Sequence, residues 1–379
     1  MAFTLPLMTA VQEASARIGL ATGTGLAAVI RKRHGAWVVI SVSLMLGIAN
    51  TINVGADIAG MAAAARLLIP AAPQALVATA FALVILCLEV FIGYARYSSI
   101  LKWLAIALLA YPLVALIAHV PWGQVLVATV VPHVTLDASF LFVLTAVLGT
   151  TISPYLFFWE ASQEVEEATA QRRRGRWNRA GQARRMRIDN AAGMVTSNVI
   201  AWFLIVVAGT VLHAHGVTTV RTAADAARAL EPLVSSFPGA GFIASAIFAI
   251  GIIGLGALAV PVLAGAASYA FSEAFGWREG LDRKLRDAPG FYAVIAVSIL
   301  LGLVIAFTGL DPVRLLVWSA VINGIVAVPM IVIVGRIAAD RRVMGRQSSG
   351  RVSNALIAVT ALVMGAAAIA TIAGLILTR

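Results

Sequence analysis

Long apolar stretches separated by short polar connections run along the whole chain. They predict ten helices, each with about the 20 residues needed to cross a hydrocarbon core of about 30 Å. The predicted spans cover residues 3–21, 36–58, 74–95, 99–119, 138–160, 190–212, 240–270, 291–309, 312–336 and 353–377. Because the apolar stretches occur throughout, the pattern predicts an all-α integral membrane protein and not a soluble domain with one anchor.

Basic residues are concentrated in alternate connections between these spans. One set of connections carries most of them, including eight arginines between Arg172 and Arg187. The other set, which includes 60–73, 120–137 and 213–239, carries few. Cytoplasmic loops of membrane proteins carry an excess of lysine and arginine. The charge pattern therefore predicts that the first set is cytoplasmic and is typical of a protein of the bacterial inner (plasma) membrane.

The composition supports a membrane protein and argues against a soluble domain and against a nucleic-acid-binding protein. The chain of 379 residues is 61% hydrophobic and 12% charged, whereas soluble domains have about 25% charged residues. The net charge of +11 could indicate nucleic-acid binding, but the basic residues lie between apolar spans. The segment 172–187 is then a solvated loop or an amphipathic helix on anionic lipid. We expect membrane lipid as a partner and no nucleic acid, and the sequence identifies no protein partner.

The sequence contains no arrangement of residues typical of an enzyme. It has no G-x-S-x-G, no P-loop, no H-E-x-x-H and no Cys/His cluster, so we predict that the protein is not an enzyme. Nor does it indicate a permanently bound cofactor. With one cysteine, Cys87, the chain cannot form an internal disulfide.

One span is interrupted by hydroxyl residues and a proline, in the sequence LGTTISPYLFFWEAS (148–162). Pro154 has no N–H and disfavours helical geometry at Ser153, which predicts a break within the span. Freed carbonyls and half-helix ends at membrane depth can bind an ion or a substrate. The alternative is a simple proline kink whose carbonyls are satisfied by the hydroxyls of Thr150, Thr151 or Ser153.

A second polar group lies in GIANTINVGADIAG (47–60). Asn50, Asn53 and Asp57 are spaced i, i+3, i+7 and share one helix face. This face could line an ion or proton route, or it could form a seam of hydrogen bonds between helices. Lone amides elsewhere in spans, at Asn198 and Asn323, are typical of bonds to a neighbouring helix.

Three segments resemble the Nramp family of divalent-metal transporters. The run QEASARIGLATGTGLAAVIRKRHG (12–35) is similar to the family's second membrane helix and the loop after it. The run GTTISPYLFFWEAS (149–162) is similar to its broken sixth helix, and RALEPL (228–233) to an outer loop. The resemblance extends more weakly through the last span. It implies a LeuT-like fold of two inverted repeats, in which two broken helices meet at mid-membrane.

The resemblance also implies where the repeats and the metal site lie. Residues 1–120 correspond to the rest of the first repeat, 136–336 to the second with a cytoplasmic basic loop at 161–189, and 353–379 to an additional C-terminal helix. The family's metal-binding Met-Pro-His core falls at Ser153, Pro154 and Tyr155. A carbonyl near Thr150 or Thr151 would be a further ligand, and the family's acidic proton-route residues correspond to the Asn50–Asp57 face.

This sequence departs from the family pattern in two ways. The methionine and histidine of the metal site are absent, which makes the chain more similar to magnesium-transporting relatives, because hydroxyl, carbonyl and carboxylate oxygens suit Mg²⁺ and Mn²⁺. The Asp-Pro-Gly-Asn-type motif of the family's first helix does not occur. We therefore expect a fold that lacks this helix, either because the true start lies upstream or because the copy is truncated.

The resulting hypothesis is transport of a divalent metal cation, Mn²⁺, Fe²⁺ or Mg²⁺, by alternating access, with proton coupling left open. Two alternatives remain at this point. One is a cation-coupled symporter of a small organic substrate, which shares the architecture. The other is a degenerate membrane paralogue that transports nothing.

Overall fold

The structure is a computed structural model that describes residues 1–92, 99, 103–117, 120–131, 135, 137–175, 178–212, 220, 222–230 and 239–377. The described residues are almost all helical and contain no strand. The helices are α1 Thr4–Thr22, α2 Leu26–His34, α3 Ala36–Leu68, α4 Gln74–Phe91, α5 Ala110–Ile117, α6 Trp122–Val130, α7 Ala138–Thr151, α8 Pro154–Arg173, α9 Arg179–Val207, α10 Ala223–Ala227, α11 Ala240–Phe275, α12 Pro289–Ala306, α13 Pro312–Ala339, α14 Arg341–Met344 and α15 Arg351–Leu377.

Within the described ranges, eight helical segments are long and apolar enough to cross a membrane, with α7 and α8 together forming one of them. A bent pair formed by Ile106–Ile117, which ends with α5, and Trp122–Val130, which is α6, would make a ninth. The predicted span at 99–119 lies partly outside the described residues. The predicted span at 3–21 is a helix, α1, but Gln12, Glu13 and Arg17 lower its hydropathy below that of the eight.

The predicted basic loop at 161–189 is mostly helix. Helix α8 continues to Arg173, and α9 begins at Arg179. The segment is rich in Ala, Glu, Gln and Arg, which all favour helix. Its charged residues therefore lie on polar extensions of two membrane-span helices and not in a long loop.

Helix α3 lies at the centre of one part of the molecule and α1 at the centre of another. Helix α3 packs against α4, α11, α12 and α13, whereas α1 packs against α8, α9, α13 and α15. Glu13 and Arg17 form an ion pair within α1 at 3.5 Å, and Arg17 also donates to the Ser349 hydroxyl. The bond to Ser349 ties Arg17 of α1 to the segment before α15.

Glycines allow helix backbones to approach each other closely. A Cβ on Gly149 of α7 would lie 2.0 Å from the carbonyl oxygen of Ala320 and 2.4 Å from the nitrogen of Gly324, both on α13. A Cβ on Gly19 of α1 would lie 2.1 Å from the carbonyl oxygen of Ala161 on α8. Small residues at helix crossings are typical of membrane bundles. These two crossings place the segments on either side of the break against fixed neighbours.

Candidate functional site

The helix containing Pro154 is interrupted for two residues. Helix α7 ends at Thr151 and α8 begins at Pro154. Ile152 has φ −118° and ψ 64°, and Ser153 has φ −83° and ψ 132°. Neither residue is therefore in a helical conformation. Ser153 is 2% exposed, which places the interruption inside the protein and not against lipid. Pro154 occupies the first helical position, where its missing N–H costs nothing.

The interruption changes which backbone carbonyls are satisfied. The Ser153 hydroxyl lies 2.7 Å from the carbonyl oxygen of Gly149 and 3.1 Å from that of Thr150, in place of the missing backbone donors. No backbone N–H in the part of the chain that the structure describes donates to the carbonyl oxygens of Thr151 or Ile152. An unpaired backbone carbonyl is costly away from water. Both oxygens are therefore available to a cation or to water.

The threonine hydroxyls next to the break bond within their own helix. Thr150 and Thr151 each donate to the carbonyl oxygen of Val147 at 2.9 Å. Together with Ser153, they provide the local satisfaction expected of a proline kink. A proline kink and a binding site are therefore compatible here. The hydroxyls bond to carbonyls within α7, and the carbonyls of Thr151 and Ile152 stay without a donor.

Tyr155 brings together two groups that the sequence places far apart. Its side chain lies near the Asp57 carboxylate of α3 and near the Ser153 side chain. Asp57 forms no ion pair with the described basic residues. The predicted route residue Asp57 and the predicted ligands Ser153 and Tyr155 therefore lie at one place in the fold.

The two asparagines of the predicted polar face have a different role from Asp57. The Asn50 amide donates to the carbonyl oxygen of Leu263 on α11 at 2.7 Å, and the Asn53 amide donates to Oδ1 of Asn323 on α13 at 3.1 Å. These bonds join α3 to two neighbours, as in the seam that was the alternative for this face. Asn198, the other lone amide, donates to Thr4 of α1 at 3.1 Å.

A cavity of about 610 Å³ opens between α8, the end of α11 and the segment after it. Glu166 lines it and accepts from the Tyr269 hydroxyl at 2.5 Å and from the backbone N–H of Leu281 at 3.0 Å. Glu279 also lines it, and burial raises the pKa of its carboxyl to about 9, with the nearby carboxylates of Glu273 and Glu166 adding to the effect. Sequence reasoning missed this cavity, because its residues come from separate segments.

Glu273 joins three elements beside this cavity. Its carboxylate accepts from the backbone N–H of Ala28, in the first turn of α2, at 2.9 Å and from the Ser162 hydroxyl of α8 at 3.1 Å. A Cβ on Gly25, the residue before α2, would lie 1.6 Å from Oε1 of Glu273. Only glycine leaves room for a carboxylate to cap α2 from outside. Acidic groups at helix N-termini are favoured by the helix dipole.

The described acidic and metal-binding side chains do not cluster into a preformed cage. Among the described residues, no group of three or more His, Cys, Asp or Glu could hold a metal ion. A cation at the break would thus be bound mainly by neutral oxygens, with Asp57 as the nearby carboxylate.

Comparisons with known proteins agree on one family and one fold. The family described as Natural resistance-associated macrophage protein-like (Nramp) matches residues 1–374. A manganese transporter of Eremococcus coleocola, solved in complex with an aromatic bis-isothiourea substituted compound, matches with a TM-score of 0.76 at 17% identity. The match covers 98% of this chain and 78% of that one. Two single-residue mutants of the same transporter match with TM-scores of 0.72, again at 17% identity and covering 97% of this chain and 78% of theirs. No curated protein matches by sequence.

Proposed function

The chain belongs to the Nramp family of divalent-metal transporters, and from that premise we propose where and how it binds its cation. The binding site is the break between α7 and α8, from which the cation is released to either side by alternating access. The observation that carries this proposal is the pair of carbonyl oxygens at Thr151 and Ile152 that receive no backbone hydrogen bond, close to Tyr155 and Asp57.

The proposed ligands are all oxygen atoms. They are the carbonyls of Thr151 and Ile152, the hydroxyls of Ser153 and Tyr155, and water, with Asp57 supplying negative charge. A carbonyl near Thr150 or Thr151 was the further ligand expected from the sequence, and we retain that of Thr151, because the Thr150 carbonyl already accepts from the Ser153 hydroxyl. Oxygen donors suit Mg²⁺ and Mn²⁺ better than thiophilic ions. We therefore place Mn²⁺ and Mg²⁺ before Fe²⁺ as the transported ion.

The ion or proton route is assigned to Asp57 instead of the whole predicted face. Asn50 and Asn53 already bond to α11 and α13, so they hold α3 in position. An ionisable group within a span that lacks a basic partner is a marker of an ion pathway. We propose that Asp57 carries any proton coupled to transport.

The wider setting of the site follows the predicted topology. We propose that residues 1–120 and 136–336 form the two repeats, with 353–379 as an added helix. We further propose that the basic segments lie in the cytoplasm of a bacterial cell, with the protein in its inner membrane. The charged cavity lined by Glu166 and Glu279 would then be the cytoplasmic vestibule of the transport route.

The sharpest test closes the break. Pro154→Ala adds an N–H that can bond to the carbonyl of Thr150 and lets the helix continue through Ile152. The purified variant in proteoliposomes loaded with a metal-sensing dye should take up Mn²⁺ at least tenfold more slowly, without a lower melting temperature. Pro329→Ala is the matched control, because Pro329 lies inside α13 without a break. Equal uptake by both variants would refute the site.

A second pair of variants tests the carboxylate. Asp57→Asn should abolish Mn²⁺ and Mg²⁺ uptake, whereas Asp189→Asn, which alters an exposed carboxyl at the polar end of α9, should not. If the unaltered protein takes up none of Mn²⁺, Mg²⁺ and Fe²⁺, and none of the three raises its melting temperature, the proposed metal transport is refuted. Uptake of an amino acid driven by a sodium gradient would then favour the organic-substrate symporter.

A further inference from the structure

A second cavity, separate from the candidate metal site, opens on the surface of three membrane-span helices. It has a volume of about 490 Å³ and lies between α3, the end of α11 and α12. Its lining is almost entirely apolar, and includes Leu44, Ile48, Val297 and Leu301, which are all exposed. Because all three helices belong to spans, a lipid chain and not water is the natural occupant of this groove.

Phe271 and Trp277 line the groove, and Phe275 joins them in a stack of three aromatic rings. Phe271 and Phe275 are stacked with centroids 6.4 Å apart, and Phe275 and Trp277 with centroids 5.2 Å apart. A Cβ on Gly290 of α12 would lie 2.7 Å from Trp277, so this glycine makes room for the indole ring. Tryptophan is enriched where a protein crosses the membrane–water interface. The stack therefore marks the end of the groove that reaches the headgroup region.

Basic side chains lie at this same end. Helix α11 terminates at Gly276, whose φ of 75° turns the chain so that Trp277 folds back onto Phe275. The guanidinium of Arg31, from the end of α2, lies 3.1 Å from the position of a Cβ on Gly276. Arg278 follows Trp277 directly and is exposed. Within the described residues, neither arginine forms an ion pair.

The length of the groove matches one acyl chain. Its lining on α12 extends from Gly290 to Ile305, 15 residues apart, which is about 22 Å at about 1.5 Å per residue. One leaflet contributes about half of a hydrocarbon core of about 30 Å. A chain anchored at the aromatic stack can therefore lie along the groove through its whole leaflet.

From these features we propose that the groove is a binding site for an anionic phospholipid. One acyl chain lies between α3 and α12 against the ring stack, and the phosphate and anionic headgroup pair with Arg31 and Arg278. Two unpaired guanidinium groups above an apolar groove fit an anionic lipid better than a zwitterionic one, whose amine would meet the same positive charge. Guanidinium groups also suit phosphate because they donate two parallel hydrogen bonds.

The test measures lipid binding to the purified full-length protein by native mass spectrometry, with phosphatidylglycerol and phosphatidylcholine of identical acyl chains as the probes. We expect phosphatidylglycerol to bind at least tenfold more tightly. Arg31→Ala with Arg278→Ala should weaken its binding about 30-fold, which corresponds to about 2 kcal/mol at about 1.4 kcal/mol per factor of ten. Arg341→Ala with Arg346→Ala, which removes two exposed charges elsewhere, should leave it within threefold.

A second variant tests the acyl chain separately from the headgroup. Ala293→Trp fills the groove from its exposed lining and should weaken the binding of both lipids. Leu300→Trp adds an exposed ring on the same helix outside the groove and should not. The proposal is overturned if the two lipids bind equally, if both arginine pairs have the same effect, or if Ala293→Trp binds phosphatidylglycerol as the unaltered protein does.

Discussion

Adding one methyl group to Gly149 tests whether the break is held by the close contact between α7 and α13. In Gly149→Ala, the new Cβ would lie 2.0 Å from the carbonyl oxygen of Ala320, whereas ordinary contacts begin at about 3.4 Å. The two helices must therefore separate by about 1.4 Å. The clashing atoms belong to the backbone, so no flexible side chain can move aside.

The size of the effect follows from this separation. A gap of about 0.5–1 Å already removes about a quarter to a half of the dispersion attraction between facing atoms. Overpacking of this kind costs about 1–3 kcal/mol, and a backbone clash belongs at the upper end of that range. Alanine in place of glycine favours helix by about 1 kcal/mol. We expect a net loss of about 2 kcal/mol in the free energy of unfolding.

The control for this prediction is the same replacement where nothing is in contact. Gly193 lies in α9, and a Cβ there would meet no atom of the described residues within 4 Å. Equilibrium unfolding in mixed detergent micelles, followed by tryptophan fluorescence, should place Gly149→Ala about 3 kcal/mol below Gly193→Ala. A difference under about 0.5 kcal/mol would show that α7 and α13 tolerate separation, and the geometric argument for a fixed break would fail.

Two further predictions concern charge and helix pairing. Because burial raises the pKa of Glu279 from 4.5 to about 9, the folded protein binds this proton more tightly than the unfolded chain, and the stabilisation is complete below about pH 4.5 and lost as pH rises through about 9. The melting temperature of Glu279→Gln should therefore fall less between pH 5 and 9 than that of the unaltered protein. An equal fall in both proteins would contradict this prediction. The control is Asp282→Asn in the same segment, whose melting temperature should fall as in the unaltered protein. Asn323→Ala should lower the free energy of unfolding by about 1 kcal/mol, because it removes the hydrogen bond from Asn53. The double variant with Asn53→Ala should lose less free energy of unfolding than the two single variants together, whereas strict additivity would show that the two amides do not couple.

Local features of the sequence were enough to predict most helices and the position of the break. Apolar runs fix the spans, since a span must satisfy its backbone internally, and Pro154 interrupts its helix through its own missing N–H. Contacts between distant residues could not be predicted in this way. Asn53 and Asn323 are 270 positions apart, and the bond from Ala28 to Glu273 joins residues 245 positions apart. No local pattern indicates such pairings.

The charge of residues 161–189 was a weaker guide to structure than their helix propensity. The basic run predicted a loop, yet helices α8 and α9 continue into it and leave only 174–178 between them. Polar ends of long helices supply lining for the cavity at Glu166, which a flexible loop could not place as precisely. The same segment therefore serves both topology and the shape of the proposed vestibule.

Asn50, Asn53 and Asp57 share one face of α3, but only Asp57 is a candidate for binding a cation. The amides of Asn50 and Asn53 donate to neighbouring helices. Burying a neutral amide that is hydrogen-bonded costs little free energy. A carboxylate within a span needs compensating charge, and none of the described basic side chains supplies it to Asp57. The carbonyls of Thr151 and Ile152 lie a few residues before Tyr155, whose side chain is near Asp57, and no described backbone N–H donates to them. A single divalent cation would supply both the positive charge for Asp57 and a partner for the carbonyl oxygens, whereas a neutral hydrogen-bond donor would supply no charge.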